Sequence, residues 1–154
     1  MCKRGCFVIY ILLIIAIFTA EYFVKEYVEK HYKEHQNKKA LGGLILTTKY
    51  HNKGAFLDAG SSKTAFVKWI SVGLTIVLTV LFIVTLGKKG KMALKLGLAF
   101  LLGGAYSNTY DRIKRKYVVD YFRINAPFAF VRKVIFNISD FCIIIGALIV
   151  ALQK

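Results

Sequence analysis

Residues 103–121 read GGAYSNTYDRIKRKYVVDY, and residues 136–141 read FNISDF. Together they place five carboxylate or amide side chains at the ends of two apolar runs: Asn108, Asp111, Asp120, Asn137 and Asp140. The chain has 8 Asp and Glu residues against 23 Lys and Arg residues, and three of those eight fall here. Because carboxylates at the edge of hydrocarbon are costly to keep, we expect a functional site in this part of the chain.

The composition is that of a membrane protein. Hydrophobic residues make up 56% of the 154 residues, above the roughly 45–50% of soluble domains, and they occur in blocks. The net charge of +15 comes from short basic clusters between these blocks, so the nearest polyanion is the lipid headgroup layer. We expect membrane lipids as partners and no nucleic acid, and a single domain over residues 1–154.

Four apolar runs predict transmembrane helices, at about residues 7–24, 67–86, 92–110 and 134–152. The first run could instead be a cleaved signal peptide, but its centre is long and Thr19-Ala20-Glu21 is a poor cleavage site. A retained helix is therefore the better interpretation. The fold class is an α-helical polytopic membrane protein.

The connecting segments carry weaker signals. Residues 41–58 begin with LGGLILTTKYHNKGAF, in which glycine pairs alternate with β-favouring residues, and this predicts short strands outside the membrane. Residues 61–69 suit a short interfacial helix, with Phe66 and Trp69 at the lipid. Residues 111–133 are interpreted as a polar connection.

Four alternating spans gather the polar residues on one side of the membrane. That side holds Glu21, Lys25, Asn52, Asn108, Asp111, Asp120, Asn137 and Asp140. Basic residues before the first span and in the GKKGK turn favour cytoplasmic termini. The seven Lys and Arg residues between Arg112 and Lys133 nearly balance that signal.

Asp120 and Asp140 are the strongest catalytic candidates. Each lies among apolar neighbours without an adjacent cation. Two carboxylates brought together in a poorly solvated site hold one proton between them. The ionised one can activate water and the protonated one can donate to a carbonyl, which amounts to peptide hydrolysis without a metal or cofactor. Asp111 could equally be a supporting residue, paired with Arg112 or Lys114.

One competing motif is present. Residues 31–35 spell H-x-x-E-H, a zinc-peptidase pattern. The surrounding segment is polar on every side and offers no clear third ligand, so a solvated juxtamembrane helix is favoured. The cysteines Cys2, Cys6 and Cys142 have neither disulfide nor zinc spacing.

The motifs GGAYSNTYDR, YVVDY and FNISD resemble those of the lipoprotein signal peptidase family (signal peptidase II), at the family's spacing. Glu21 with Lys25 resembles the family's D-x-x-x-K, and HNKGAF from His51 to Phe56 resembles its N-x-G-A-A-F segment. These dispersed motifs, all in the right order, make the resemblance specific.

The resemblance implies that Asp120 and Asp140 are the catalytic pair of an aspartic endopeptidase. It implies supporting roles for Asn52, Gly54, Asn108, Asp111, Arg112, Asn137, Glu21 and Lys25. It also implies a small extracellular β cradle. The implied reaction removes signal peptides from diacylglyceryl-modified prolipoproteins just before the lipidated cysteine, at the outer face of a bacterial cytoplasmic membrane.

The chain departs from the family pattern at four places. Glu21 replaces the usual Asp, Lys116 stands where glycine is usual, Ser139 replaces Ala, and one alanine of the cradle motif is missing. These departures leave open a divergent paralogue, a lipid-binding scaffold or a small transporter, that uses the same carboxylates. We expect a monomer.

Overall fold

The structure, a computed structural model, describes residues 5–34, 36–54 and 64–153, with side chains from residue 7 onward. The described part is mostly helical with one small sheet. Its helices are α1 (Gly5–His31), α2 (Thr64–Leu86), α3 (Met92–Lys114), α4 (Ala129–Lys133) and α5 (Ile138–Ala151). Its strands are β1 (Lys38–Ala40), β2 (Ile45–Asn52) and β3 (Val118–Ile124).

The chain divides into two compact units. The helical unit comprises the described residues of Met1–Glu21, Trp69–Thr109 and Ile138–Lys154. The sheet unit comprises those of Tyr22–Lys68 and Tyr110–Asn137. Each unit has its own hydrophobic core. The expectation of one peptidase domain over residues 1–154 stays a prediction.

Close helix packing in the helical unit depends on glycine. A Cβ at Gly146 of α5 would lie 2.6 Å from the carbonyl oxygen of Gly97 on α3, and a Cβ at Gly103 would lie 2.8 Å from Ile17 on α1. Small residues let apolar helices approach until their backbones touch. Hydrogen bonds between α2 and α3 add to this packing, with Thr75 Oγ1 and Thr109 Oγ1 2.9 Å apart.

The sheet unit is built on a three-stranded antiparallel sheet in the order β1-β2-β3. Val119 and Tyr121 of β3 pack against Val28, which lies on the last turns of α1. The register between β2 and β3 is irregular between Thr47 and Tyr50. This irregularity shifts the end of β2, which carries Asn52, relative to β3, which carries Asp120.

Two helices differ in extent from the apolar runs that predicted them. α1 continues beyond residue 24 to His31 because Val28 is buried and Glu26 pairs with Lys30 one turn later, at 3.7 Å. α5 begins at Ile138 rather than at residue 134. The preceding residues pair with β3 instead, and the backbone N–H of Phe136 donates to the carbonyl of Phe122 at 2.8 Å.

The predicted connections also need correction. Residues 111–133 are not only a polar connection, because they contain β3 and α4. In the predicted strand segment, residues 41–43 form a 3-10 turn and the strands lie on either side of it. Residues 55–58 fall outside the described residues. So do residues 61–63 of the predicted interfacial helix, whereas Thr64 to Trp69 are the first turns of α2.

Two described helices, α1 and α2, are long and apolar enough to cross a membrane, and α5 is a shorter apolar helix. Their large apolar side chains are mostly exposed. On α2, for example, Leu74, Ile76, Val80 and Ile83 each expose more than half of their surface. Such faces suit hydrocarbon rather than water.

Candidate active site

Asp120 lies in the middle of β3 and is almost fully buried. Both of its carboxylate oxygens accept hydrogen bonds from amide side chains. Asn137 Nδ2 donates to Oδ1 at 2.7 Å, and Asn52 Nδ2 donates to Oδ2 at 3.0 Å. Because the two donors reach opposite oxygens, they fix the plane of the carboxylate as well as its position.

The amide of Asn52 is itself held in place. Its Oδ1 accepts from the backbone N–H of Gly54 at 3.0 Å, which leaves Nδ2 to point at Asp120. Arg112 in turn donates from Nη2 to the carbonyl of Gly54 at 3.2 Å. Three predicted site residues thus form one hydrogen-bonded series that ends on Asp120.

Asp140 stands in the first turn of α5 and is half-buried. Asn108 Nδ2 on α3 donates to its Oδ1 at 3.0 Å. One turn earlier on α3, Gly104 packs directly on the backbone of Ser139, where a Cβ would overlap the Ser139 carbonyl. This close approach brings Asn108 within reach of Asp140.

Lys25 and Asp111 form an ion pair of 3.0 Å inside the sheet unit. The pairing of Asp111 with Arg112 or Lys114, considered from the sequence, was wrong. Its partners are Lys25 from α1, Arg115 at 3.1 Å, and the backbone N–H of Val119 at 3.3 Å. Asp111 therefore ties α1, the end of α3 and β3 together, which supports the strand that carries Asp120.

Glu21 belongs to the helical unit, whereas Lys25 belongs to the sheet unit. It is almost fully buried in the helical unit, where its Oε1 accepts from the backbone N–H of Ser139 at 3.4 Å. The predicted site residues thus form two groups. One, in the sheet unit, surrounds Asp120 and Asp111, and the other, in the helical unit, surrounds Asp140.

The residues of both groups lie within a region that matches a known family model. The model, described as signal peptidase (SPase) II, matches residues 13–154. The chain belongs to the signal peptidase II family. It is therefore a protease of a membrane-enzyme family, and this relationship supports the removal of signal peptides from prolipoproteins.

Curated relatives of this signal peptidase II family member are lipoprotein signal peptidases. The protein from Lactiplantibacillus plantarum is 28% identical over 142 residues, covering 92% of this chain and 91% of the relative. The protein from Ectopseudomonas mendocina is 29% identical over 146 residues, covering 94% and 86%.

A solved bacterial membrane enzyme, determined by the in meso method at 2.3 Å resolution, has a similar fold. Its TM-score is 0.79 at 21% identity, over 93% of this chain and 85% of that one. A second such structure, at 1.9 Å resolution, gives a TM-score of 0.75.

A polar network in this signal peptidase II family member was missed from the sequence. Arg115 donates to Glu26 at 2.5 Å and lies 3.8 Å from Glu29, which in turn lies 2.8 Å from His51 Nε2. The ring of His51 stacks on Tyr117, with 3.9 Å between centroids. Burial, followed by the charge of Glu29, raises the pKa of Tyr117, so its phenol stays neutral. From the sequence, the acidic side chains between residues 25 and 34 were interpreted as part of a solvated helix. Apart from the local pair of Glu26 with Lys30, their partners lie far away in the chain, so no local pattern marks them.

Of the H-x-x-E-H motif, Glu34 lies 3.6 Å from Nδ1 of His51. His31 is exposed, contacts the carbonyl of Tyr27 through Nδ1 at 2.9 Å and stacks on its ring. His35 lies outside the described residues. Among the residues that the structure describes, no group of three or more His, Cys, Asp and Glu side chains could hold a metal ion.

Proposed function

We propose that the protein is an intramembrane aspartic endopeptidase that cleaves diacylglyceryl-modified prolipoproteins just before the lipidated cysteine. Asp120 and Asp140 are its catalytic pair. The observation that carries this proposal is that each aspartate is held by side-chain amides at positions that fill the family pattern. Asn52 and Asn137 hold Asp120, and Asn108 holds Asp140.

These amides suit general acid–base catalysis. In the proposed reaction the ionised aspartate takes a proton from water as the oxygen attacks the scissile carbonyl, and the protonated aspartate donates to the carbonyl oxygen. When the tetrahedral intermediate collapses, the C–N bond breaks and a carboxyl group returns a proton to the leaving amine. An amide N–H can hold a carboxylate in place without competing for its proton, which a lysine or histidine would do.

The membrane setting is part of the proposal. α1, α2, α3 and α5 would cross the bilayer, with both termini in the cytoplasm and the active site near the outer face of a bacterial cytoplasmic membrane. The exposed apolar surfaces of α1 and α2 and the basic GKKGK turn between α2 and α3 support this arrangement. Lipids would cover those helix faces, and the enzyme would act as a monomer.

The deciding experiment is cleavage of a diacylglyceryl-modified prolipoprotein by the purified protein. Asp120→Asn and Asp140→Asn keep the shape of the side chain but remove its acid–base function. Each should therefore lower kcat by at least about a thousandfold, and the double variant should lose little more, because the pair acts as a unit. Glu34→Gln, a change at an exposed carboxylate, should retain the wild-type rate.

Wild-type turnover by either aspartate variant, with folding confirmed, would contradict the catalytic pair. Cleavage of an unlipidated prolipoprotein at the same rate would contradict the substrate class. A chain that binds lipidated precursors without cleaving them would instead be a scaffold that uses the same carboxylates.

A further inference from the structure

The start of α5 is held by a side chain from another helix. The backbone N–H of Ser139, in the first turn, donates to Glu21 Oε1 on α1 at 3.4 Å, and the two residues are 118 positions apart in the chain. N–H groups in the first turn of a helix have no partner within the helix, and a carboxylate is favoured there by the helix dipole. Glu21 therefore acts as a cap for α5.

The same turn carries Asp140. Its backbone is fixed from a second direction by Gly104, which packs on Ser139 so closely that no Cβ fits. Its carboxylate is fixed by Asn108. Any movement of the first turn of α5 would shift Asp140 relative to Asn108, so the contact between Glu21 and Ser139 bears directly on a catalytic group.

The side chain of Ser139 is the unexplained feature of this turn. It is fully buried, and Oγ has no hydrogen-bond partner among the residues that the structure describes. A buried hydroxyl without a partner destabilises a fold, and alanine at this position would avoid that cost. A serine hydroxyl can nevertheless reach an acceptor that already contacts the amide nitrogen of the same residue, and Glu21 is such an acceptor.

Glu21 and Ser139 are also two of the positions at which this chain departs from the family pattern of Asp and Ala. The two departures meet at one contact. Glutamate is one methylene longer than aspartate, and serine adds a donor directly beside the amide that the glutamate touches. A longer carboxylate has more rotational freedom, and a second donor would restrain it.

We propose that Glu21 and Ser139 form a matched positioning pair for Asp140. Glu21 holds the first turn of α5, and the hydroxyl of Ser139 turns to the Glu21 carboxylate to hold it in place during turnover. This inference rests on the proposed function for its effect on turnover, but the pairing itself is a property of the folded chain.

A double-mutant cycle tests the pair: Glu21→Asp, Ser139→Ala and both together, in the full-length protein in detergent or nanodiscs. Each single change should lower kcat about tenfold or more with KM changed less than about twofold, because a change in the position of Asp140 acts on the chemical step. The double variant should be within about threefold of the slower single variant, because loss of either side chain already removes what the pair does together. Glu34→Asp shortens an exposed carboxylate as a matched control.

Thermal unfolding provides a second readout that does not need activity. Glu21→Asp should lower the Tm of the wild-type protein by several degrees but change it little in the Ser139→Ala background. Additive effects on both kcat and Tm would overturn the pair. A protein that fails to cleave prolipoprotein but keeps the coupled change in Tm would overturn the proposed function and leave the pairing intact. Coupling in Tm with uncoupled kcat would make the contact structural and overturn its positioning role.

Discussion

Lys25 and Asp111 form an ion pair of 3.0 Å in which the two side chains expose only 1% and 2% of their surface. Removing one partner of a buried pair leaves the other charge without compensation, which costs about 3–5 kcal/mol. Arg115 would still lie 3.1 Å from Asp111, so we expect Lys25→Met to lower the free energy of unfolding by about 3 kcal/mol, the low end of that range. The combined variant Lys25→Met with Asp111→Asn should be less destabilised than Lys25→Met alone, because it removes the charge but keeps an acceptor for the Val119 N–H.

Chemical unfolding in detergent micelles measures both variants. A surface pair provides the control, since Lys30→Met disrupts only the exposed contact with Glu26 and should cost at most about 1 kcal/mol. If Lys25→Met and Lys30→Met lower the free energy of unfolding equally, burial does not make the Lys25–Asp111 pair more important for stability.

The series from Arg112 through Gly54 and Asn52 to Asp120 predicts non-additive kinetics. Asn52→Ala removes the donor to Asp120, and Arg112→Gln loosens the Gly54 loop that orients this donor. Each change should lower kcat about tenfold to a hundredfold, and the double variant should be no worse than Asn52→Ala within about threefold. Cleavage of lipidated prolipoprotein under saturating substrate measures all three.

If the fold-losses in kcat of the two single variants multiply in the double variant, Arg112 acts independently of Asn52. Arg132→Gln, a change at an exposed arginine of α4, controls for loss of positive charge and should leave kcat unchanged.

The glycine contact between α3 and α5 predicts a strong difference between two Gly→Ala changes. At Gly146 a Cβ would lie 2.6 Å from backbone atoms of α3, so Gly146→Ala forces the helices apart and should cost about 1–3 kcal/mol or more. Gly73 on α2 has nothing within 4 Å of the Cβ position, and Gly73→Ala should be neutral or stabilising by up to about 1 kcal/mol.

Thermal unfolding of the two purified variants makes this comparison directly. If Gly146→Ala unfolds at the wild-type temperature, backbone contact between α3 and α5 does not hold these helices together.

Lys116 lies in the tight turn between α3 and β3 with φ of +72°, in the left-handed region. A residue with a side chain is strained there by about 1–2 kcal/mol, and glycine is not. This strain is the physical reason why glycine would suit this position. Lys116→Gly should therefore raise the Tm by a few degrees while leaving cleavage unchanged, because the Lys116 side chain is exposed and donates only to the carbonyl of Ile113.

Differential scanning fluorimetry of Lys116→Gly beside Lys114→Gly provides the comparison. Lys114 is the last residue of α3, so its replacement by glycine should destabilise. A fall in Tm for Lys116→Gly would mean that the side chain stabilises the turn by more than the strain costs.

The sequence by itself determined the family, the chemical character of the site residues and the approximate positions of the long helices. The family model confirms the resemblance, and α1, α2 and α3 each contain most of their predicted run. These features could be predicted because hydrophobic runs, glycine spacing and short motifs are local properties of the chain. The catalytic roles of Asp120 and Asp140 stay predictions.

Only the tertiary structure decided which partners the polar residues have. From the sequence, Asp111 could be a site residue or a supporting residue paired with Arg112 or Lys114, yet it binds Lys25. Glu21 caps a helix 118 residues away. The strand β3 was missed because VVDYFRI is a short apolar run among basic residues, and such a run does not by itself show that it pairs with β2 and Phe136. Buried charges and strand backbones must find partners wherever the fold brings them, and a sequence without its fold does not specify which residues those are.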